Sequence, residues 1–210
     1  MASTVPGVTL AHDFEIAMAL ADPAAVSHWS ALHHHGLTEQ VPRKVFVLTT
    51  TEVSTPRARG AKARPQGGGY LIGGTAYEFV RVAPERFFGT EQMWIGDARV
   101  TFTDPERTLL DGLSRPQFCG DFAEVLHAFE ARRSNLVLGR ILEYALRLDA
   151  APAKRLGWVL EHQGMDPSRL EQLLAVPIRG YRKLDPTGPR QGPCDPRWMI
   201  QVNLPGKVKT

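Results

Sequence analysis

Apolar residues recur at helical spacing near the start of the chain. Phe14, Ala17, Met18 and Leu20 line one side of a segment closed by Asp22-Pro23, which predicts a helix over 12–21. A second helix is predicted over 26–35. Ser27 stands where a cap is needed, Trp29, Leu32 and His33 fall three and four residues apart, and Gly36 suits a left-handed exit. After Pro42 the period changes. Val45-Phe46-Val47-Leu48 is a continuous apolar run suited to a strand buried on both faces, and the Arg/Pro/Gly-rich stretch 52–74 predicts a loop. Strand character returns over 77–82, then around Met93-Trp94-Ile95 and over 99–103, where the intervening Gly96-Asp97 predicts a hairpin.

The clearest helix start follows. Asp104 is placed as N-cap, Pro105 as a first helical residue that needs no amide hydrogen, and Glu106 as a negative charge at the positive end of the dipole. Leu109, Leu110 and Leu113 supply its buried face. Further helices are predicted over 121–132, 135–148, 152–163 and 167–175, and an extended segment over 197–202 is expected to rejoin the earlier sheet. There is no internal repeat. Strands followed by a run of helices indicate an α+β fold, a small mixed β-sheet packed with a helical C-terminal half.

Length and composition narrow this without naming an activity. The 210 residues suit one domain, and 43% hydrophobic with 22% charged residues are ordinary globular values. No apolar run reaches the roughly 20 residues of a bilayer crossing, so no membrane association is expected. Cys119 and Cys194 form neither a disulfide framework nor a CxxC pair, which suits the cytoplasm. A net charge of +3 and a pI near 9.0 permit an acidic partner without requiring one. Candidate nucleic-acid contacts are Arg57, Arg59, Lys62 and Arg64 in the loop, Arg132 and Arg133 at a helix end, and Lys154 and Arg155 at a helix start; Arg140 and Arg147 extend the stripe. The same residues also suit the solvated face of an amphipathic bundle.

The histidines invite a metal reading that helix geometry opposes. His33, His34 and His35 point about 100° apart, and His28 and His35 share a face but lie about 10 Å apart along the axis. No Asp or Glu stands two residues before any lysine, as a restriction-type nuclease site would need, and neither a P-loop nor a GxSxG elbow is present. No cofactor, metal or enzymatic step is expected.

Seven segments together resemble the AbiEi family of type IV toxin–antitoxin antitoxins: SHWSALHHHGLTEQVP, KVFVLTT, YEFVRV, FFGTEQMWI, VTFTDPERTLLDGLSRPQFCG, KRLGWVLE and YRKLDPTGPRQGPCDPRWMIQVN. The resemblance implies a non-enzymatic antitoxin of an abortive-infection, phage-defence module. Such an antitoxin counteracts an AbiEii-type nucleotidyltransferase toxin, often without a stable complex, and represses its own operon. It assigns 12–210 to the family's C-terminal antitoxin domain and leaves 1–11 as an N-terminal extension, without room for the family's DNA-binding winged helix-turn-helix. The family motifs nominate His28, Trp29, His35, Gln40, Asp104, Glu106, Arg107 and Asp111 as partner-contact candidates, with DNA contact through basic surface as a further expectation. Competing readings are a nucleic-acid-binding accessory protein, which a steep salt dependence would favour, and a nuclease-like or hydrolytic enzyme, which metal-dependent cleavage would favour.

Overall fold

The computed structural model describes residues 12–53 and 69–204. Six strands build the main sheet: β1 (Ala24–Val26), β2 (Lys44–Thr49), β3 (Tyr70–Ile72), β4 (Thr75–Arg81), β5 (Thr90–Ile95) and β6 (Ala98–Thr103). Their order is β3-β4-β2-β1-β6-β5. β2 runs parallel to β4 and antiparallel to β1, and β1 is parallel to β6, so the sheet is mixed. The central position of β2 explains its unbroken apolar run, since all of Val45–Leu48 is buried.

Two strands differ from the sequence pattern. Val26, predicted to open a helix, instead ends β1, whose Ala24 and Ala25 fell in no predicted element, and the second helix is confined to His28–His34. Three residues are too few to show a period; β1 is a strand because β2 and β6 flank it, pairing Val26 with Val47 and Phe102. Tyr70–Ile72, predicted as loop, folds back on β4 as β3, with Tyr70 opposite Tyr77. The turn between them is Gly73-Gly74, at φ 61° and 92°, a two-residue hairpin turn that needs left-handed backbone twice.

The helices are α1 (Asp13–Leu20), α2 (His28–His34), α3 (Pro105–Ser114), α4 (Phe122–Arg132), α5 (Leu138–Arg147), α6 (Ala150–His162) and α7 (Glu171–Leu174). α3 is the hinge of the architecture. It leaves the end of β6, packs on α2, and buries Leu109, Leu110 and Leu113 in a core shared with Phe129, Ile141 and Leu156 of α4, α5 and α6. Each such aliphatic side chain contributes about 2 kcal/mol by leaving water. α3 approaches α4 closely at Gly112, where a Cβ would stand 2.9 Å from Val125 Cγ2.

The C-terminal segment also departs from expectation. β7 (Arg182–Lys183), β8 (Cys194–Asp195) and β9 (Ile200–Gln201) form a separate three-stranded sheet, so the last strand does not rejoin the first one. Trp198 supplies the reason. Its indole is wholly buried, its Nε1 donates to Glu161 on α6, and it lies where any side chain at Gly157 of α6 would stand. The segment is therefore docked on α6, away from the main sheet.

Candidate functional site

The first turn of α3 is fixed by its cap. Asp104 Oδ1 accepts from the Arg107 amide at 2.8 Å, and Oδ2 accepts from the Tyr144 hydroxyl at 2.9 Å. Burial raises the Asp104 pKa against the pull of those two donors, and burial with the neighbouring carboxylate pushes Tyr144 up to about 12. Arg107 lies beneath this cap with Nε and Nη1 committed. Nε meets Asp111 Oδ1 at 2.9 Å, while one terminal nitrogen donates to the carbonyls of Arg86 at 2.8 Å and Phe88 at 2.9 Å. The guanidinium also covers the Phe88 ring at 4.5 Å. Gly89 lets this loop approach, because a Cβ there would come within 2.8 Å of Arg107 Cβ.

His28 enters from α2. Ser27 occupies the predicted N-cap position, but its hydroxyl engages His28 Nδ1 at 2.9 Å instead of capping the helix. His28 has φ 49°, a left-handed conformation that an L-residue adopts at a cost. Its ring is buried edge-on to Phe118 at 5.5 Å, and burial lowers its pKa from 6.5 to about 4, with Asp111 opposing that shift and Arg115 and Arg107 adding to it. His28 and Asp111 line one cavity of about 220 Å³, between the sheet and the ends of α3 and α5. Asp111 Oδ2 is buried there with no hydrogen-bond donor among the described residues. Two indole N–H groups, those of Trp29 and Trp158, are also without partners, but neither lines this cavity.

The 27–42 segment leaves α2 as predicted. Gly36 is left-handed at φ 66°, and the Leu37 amide reaches back to the Leu32 carbonyl at 2.8 Å. The imidazoles then diverge. His34 stacks on Phe102 at 3.9 Å, His35 Nε2 meets the Thr103 carbonyl at 2.7 Å, His28 faces the cavity and His33 is exposed. Gln40 Nε2 donates to Glu124 Oε2 at 2.7 Å, and Thr38 also donates to Glu124, tying the exit to α4. Trp29, Gln40 and Val41 line a second, wider hollow of about 770 Å³ together with Gln117 and Phe118. Val41 is 71% exposed on its edge.

Several nominated residues are elsewhere. Glu106 is fully buried on another face of α3, where it accepts from Arg132 at 3.1 Å, Arg140 at 3.3 Å and the Val137 amide at 3.1 Å. It is a structural anchor and presents nothing to a partner. Lys154 and Arg155 are buried as well, which corrects their assignment to a nucleic-acid surface. Lys154 donates to the carbonyls of Leu173 and Leu174, Arg155 to those of Lys183 and Leu113, and burial lowers Arg155 to about 10. Arg133 pairs with Glu130 on the surface, and Arg147 covers Phe88 at 3.8 Å. Arg57, Arg59, Lys62 and Arg64 lie outside the described residues, as does the 1–11 extension. The sequence reading missed Ser114, Arg115, Arg86 and Asp149 around the 220 Å³ cavity. The only available signal was that Ser114 and Arg115 fall inside the VTFTDPERTLLDGLSRPQFCG segment.

Fold and site together define an α+β domain in which α2 and α3 hold a partly apolar cavity against a mixed sheet. No family model and no curated protein matches the chain. Among solved structures, the crystal structure of the Rv2827c protein from Mycobacterium tuberculosis is similar, with a TM-score of 0.57 and 14% identity, covering 84% of this chain and 61% of that one. The chain thus spans 61% of that protein's length, and the likeness bears on the fold alone. Among the described residues, no helix is long and apolar enough to cross a membrane.

Proposed function

We propose that this chain is a cytoplasmic, non-enzymatic antitoxin of the AbiEi type that opposes a nucleotidyltransferase toxin. Its toxin-facing surface is the hollow beside α2. One observation supports this reading: two of the three longest segments of the resemblance, 27–42 and 100–120, are far apart in sequence yet line that hollow together. Trp29, Gln40 and Val41 come from the first segment, Gln117 and Phe118 from the second. The rim is apolar at Val41 and cationic at Arg43, while Lys44 is paired with Glu78 of the same hollow at 3.3 Å, a surface suited to a mainly apolar partner patch that brings one acidic group to Arg43. A nucleic-acid role is less favoured, because Arg132 and Arg140 are spent on Glu106 and Lys154 and Arg155 on backbone carbonyls.

Co-expression with a cognate AbiEii-type toxin tests the proposal. The wild-type chain restores growth, and Val41→Glu, at an exposed position that costs the fold within about 0.5 kcal/mol, abolishes the rescue. Failure of the wild-type chain to rescue, or undiminished rescue by a soluble, folded Val41→Glu protein, overturns it.

A further inference from the structure

The 220 Å³ cavity is separate from the hollow assigned to the toxin, and its polar groups are unevenly matched. At its inner end stands Asp111, whose side chain is 8% exposed. Arg107 holds Oδ1, and Oδ2 is the only buried carboxylate oxygen without a donor among the described residues. Leaving such an atom unpaired is unfavourable in any compact fold, so Oδ2 takes its donor from the cavity, from water or from a ligand that displaces it. Beside it is His28, whose Nδ1 is engaged by Ser27 and whose Nε2 has no partner among the described residues. Burial keeps the ring neutral at physiological pH, and in the tautomer where the Ser27 hydroxyl donates to Nδ1, Nε2 carries the proton. The inner wall thus presents an acceptor and a donor together.

The remaining lining divides just as clearly. Leu48, Val80 and Val82 face it from the sheet side, Leu148 and Pro152 from the helical side, giving two apolar walls. Arg115 closes the end of α3 at the mouth, exposed and without an ion-pair partner among the described residues; Arg86 at the same rim is already bidentate with Asp149 at 2.6 Å. An apolar cavity of about 150 Å³ takes a benzene ring, and pockets for whole drug-sized ligands start near 300 Å³. This cavity falls between them, enough for a flat heterocycle with its substituent left at the mouth.

We propose that the cavity binds a nucleoside monophosphate whose base carries an amino group, with the amino group donating to Asp111 Oδ2 and the phosphate held by Arg115. The ring nitrogen next to the amino group accepts from His28 Nε2. Cytosine and adenine present this donor–acceptor edge. Uracil and hypoxanthine place a carbonyl oxygen where the amino group stands, against a carboxylate that has no proton to give. The site stands on the cavity alone and does not rest on the antitoxin reading.

Isothermal titration calorimetry on the full chain, with CMP against UMP and AMP against IMP, tests it. CMP, AMP or both bind at least about tenfold more tightly than the carbonyl counterpart, the scale of one hydrogen bond to a charged group. Asp111→Asn erases that preference, since an amide can turn its N–H₂ toward the carbonyl. Arg115→Ala, at an exposed position, weakens CMP toward the affinity of cytidine and keeps the base preference, which holds the test open if Asp111→Asn fails to fold. Equal affinities within both pairs, or no binding of any of the four at millimolar concentration by wild-type protein with a folded circular-dichroism spectrum, overturns it. The assay contains no toxin, so its failure leaves the growth-rescue outcome untouched.

Discussion

Glu106 and Asp111 belong to the same helix, both are buried, and the fold treats them in opposite ways. Glu106 points toward the junction of α4 and α5, where Arg132, Arg140 and the Val137 amide reach it, so both oxygens have donors. Asp111 points toward α2 and the sheet, where Arg107 serves one oxygen and the other is left unpaired among the described residues. The same contrast extends around each acid. On the helical side even buried cations find carbonyls, as Lys154 and Arg155 do. On the sheet side, His28 adopts a left-handed backbone and loses its charge through burial. A fully satisfied carboxylate is the mark of architecture. An unsatisfied one beside a strained residue and a cavity is the mark of a site.

The largest test of this contrast is Glu106→Ala. It leaves two arginines and an amide without their acceptor in a junction that excludes water from the acid itself, and costs about 3 kcal/mol in urea denaturation. Asp111→Asn keeps an oxygen for Arg107 Nε and puts an amide nitrogen in place of the unpaired Oδ2; it removes the charge facing Arg107, but the Arg86 and Phe88 carbonyls still hold that guanidinium, so its cost is about 1–2 kcal/mol. If Asp111→Asn proves the more damaging of the two, the division into anchor and site fails.

Next in size is the pH response of His28. Its folded pKa of about 4 lies below the 6.5 of the unfolded chain, so between those values the unfolded state binds more protons. The stability tied to the neutral ring is fully present above pH 6.5, declines as pH falls through the window, and is gone below about 4. Between pH 7 and pH 5 the loss is about 2 kcal/mol. His28→Asn removes the titrating ring while tolerating the left-handed backbone. The difference in urea midpoint between pH 7 and pH 5 shrinks accordingly in the variant; an unchanged difference means that His28 is charged in the fold.

Much of the helical side was legible in the sequence, because its determinants are local. Asp104-Pro105 caps α3 as its residue types require, Leu109, Leu110 and Leu113 are buried at helical spacing, and Gly36 takes the left-handed exit. What escaped depends on distant partners. β1 is a strand because β2 and β6 flank it, and the last strand is drawn to α6 by Trp198 settling over Gly157. The site was half legible. His28, Arg107 and Asp111 stood out through motif membership, yet nothing in their spacing distinguishes Asp111, with its unpaired oxygen, from Glu106, which has a full complement of donors. Lys154 and Arg155 show the same limit in reverse. As sequence they are two cations opening a helix, and only the carbonyls of Leu173, Leu174, Lys183 and Leu113, remote along the chain, turn them inward.

The smallest predicted effect separates two neighbours that sequence treats alike. Arg132 reaches inward to Glu106 with its side chain 22% exposed, whereas Arg133 pairs with Glu130 where both side chains are 57% exposed. An exposed pair gains little, since water screens the attraction and ordering two long side chains offsets it. Arg133→Ala therefore changes stability by no more than about 0.5 kcal/mol, and 1 M salt leaves that difference near zero. Arg132→Ala removes one of two cations from a buried acid and costs more, about 1–2 kcal/mol, because Arg140 and the Val137 amide still serve Glu106. Equal costs for the two substitutions mean that Glu106 is solvated from the arginine side, and then the helical junction is no better satisfied than the cavity that holds Asp111.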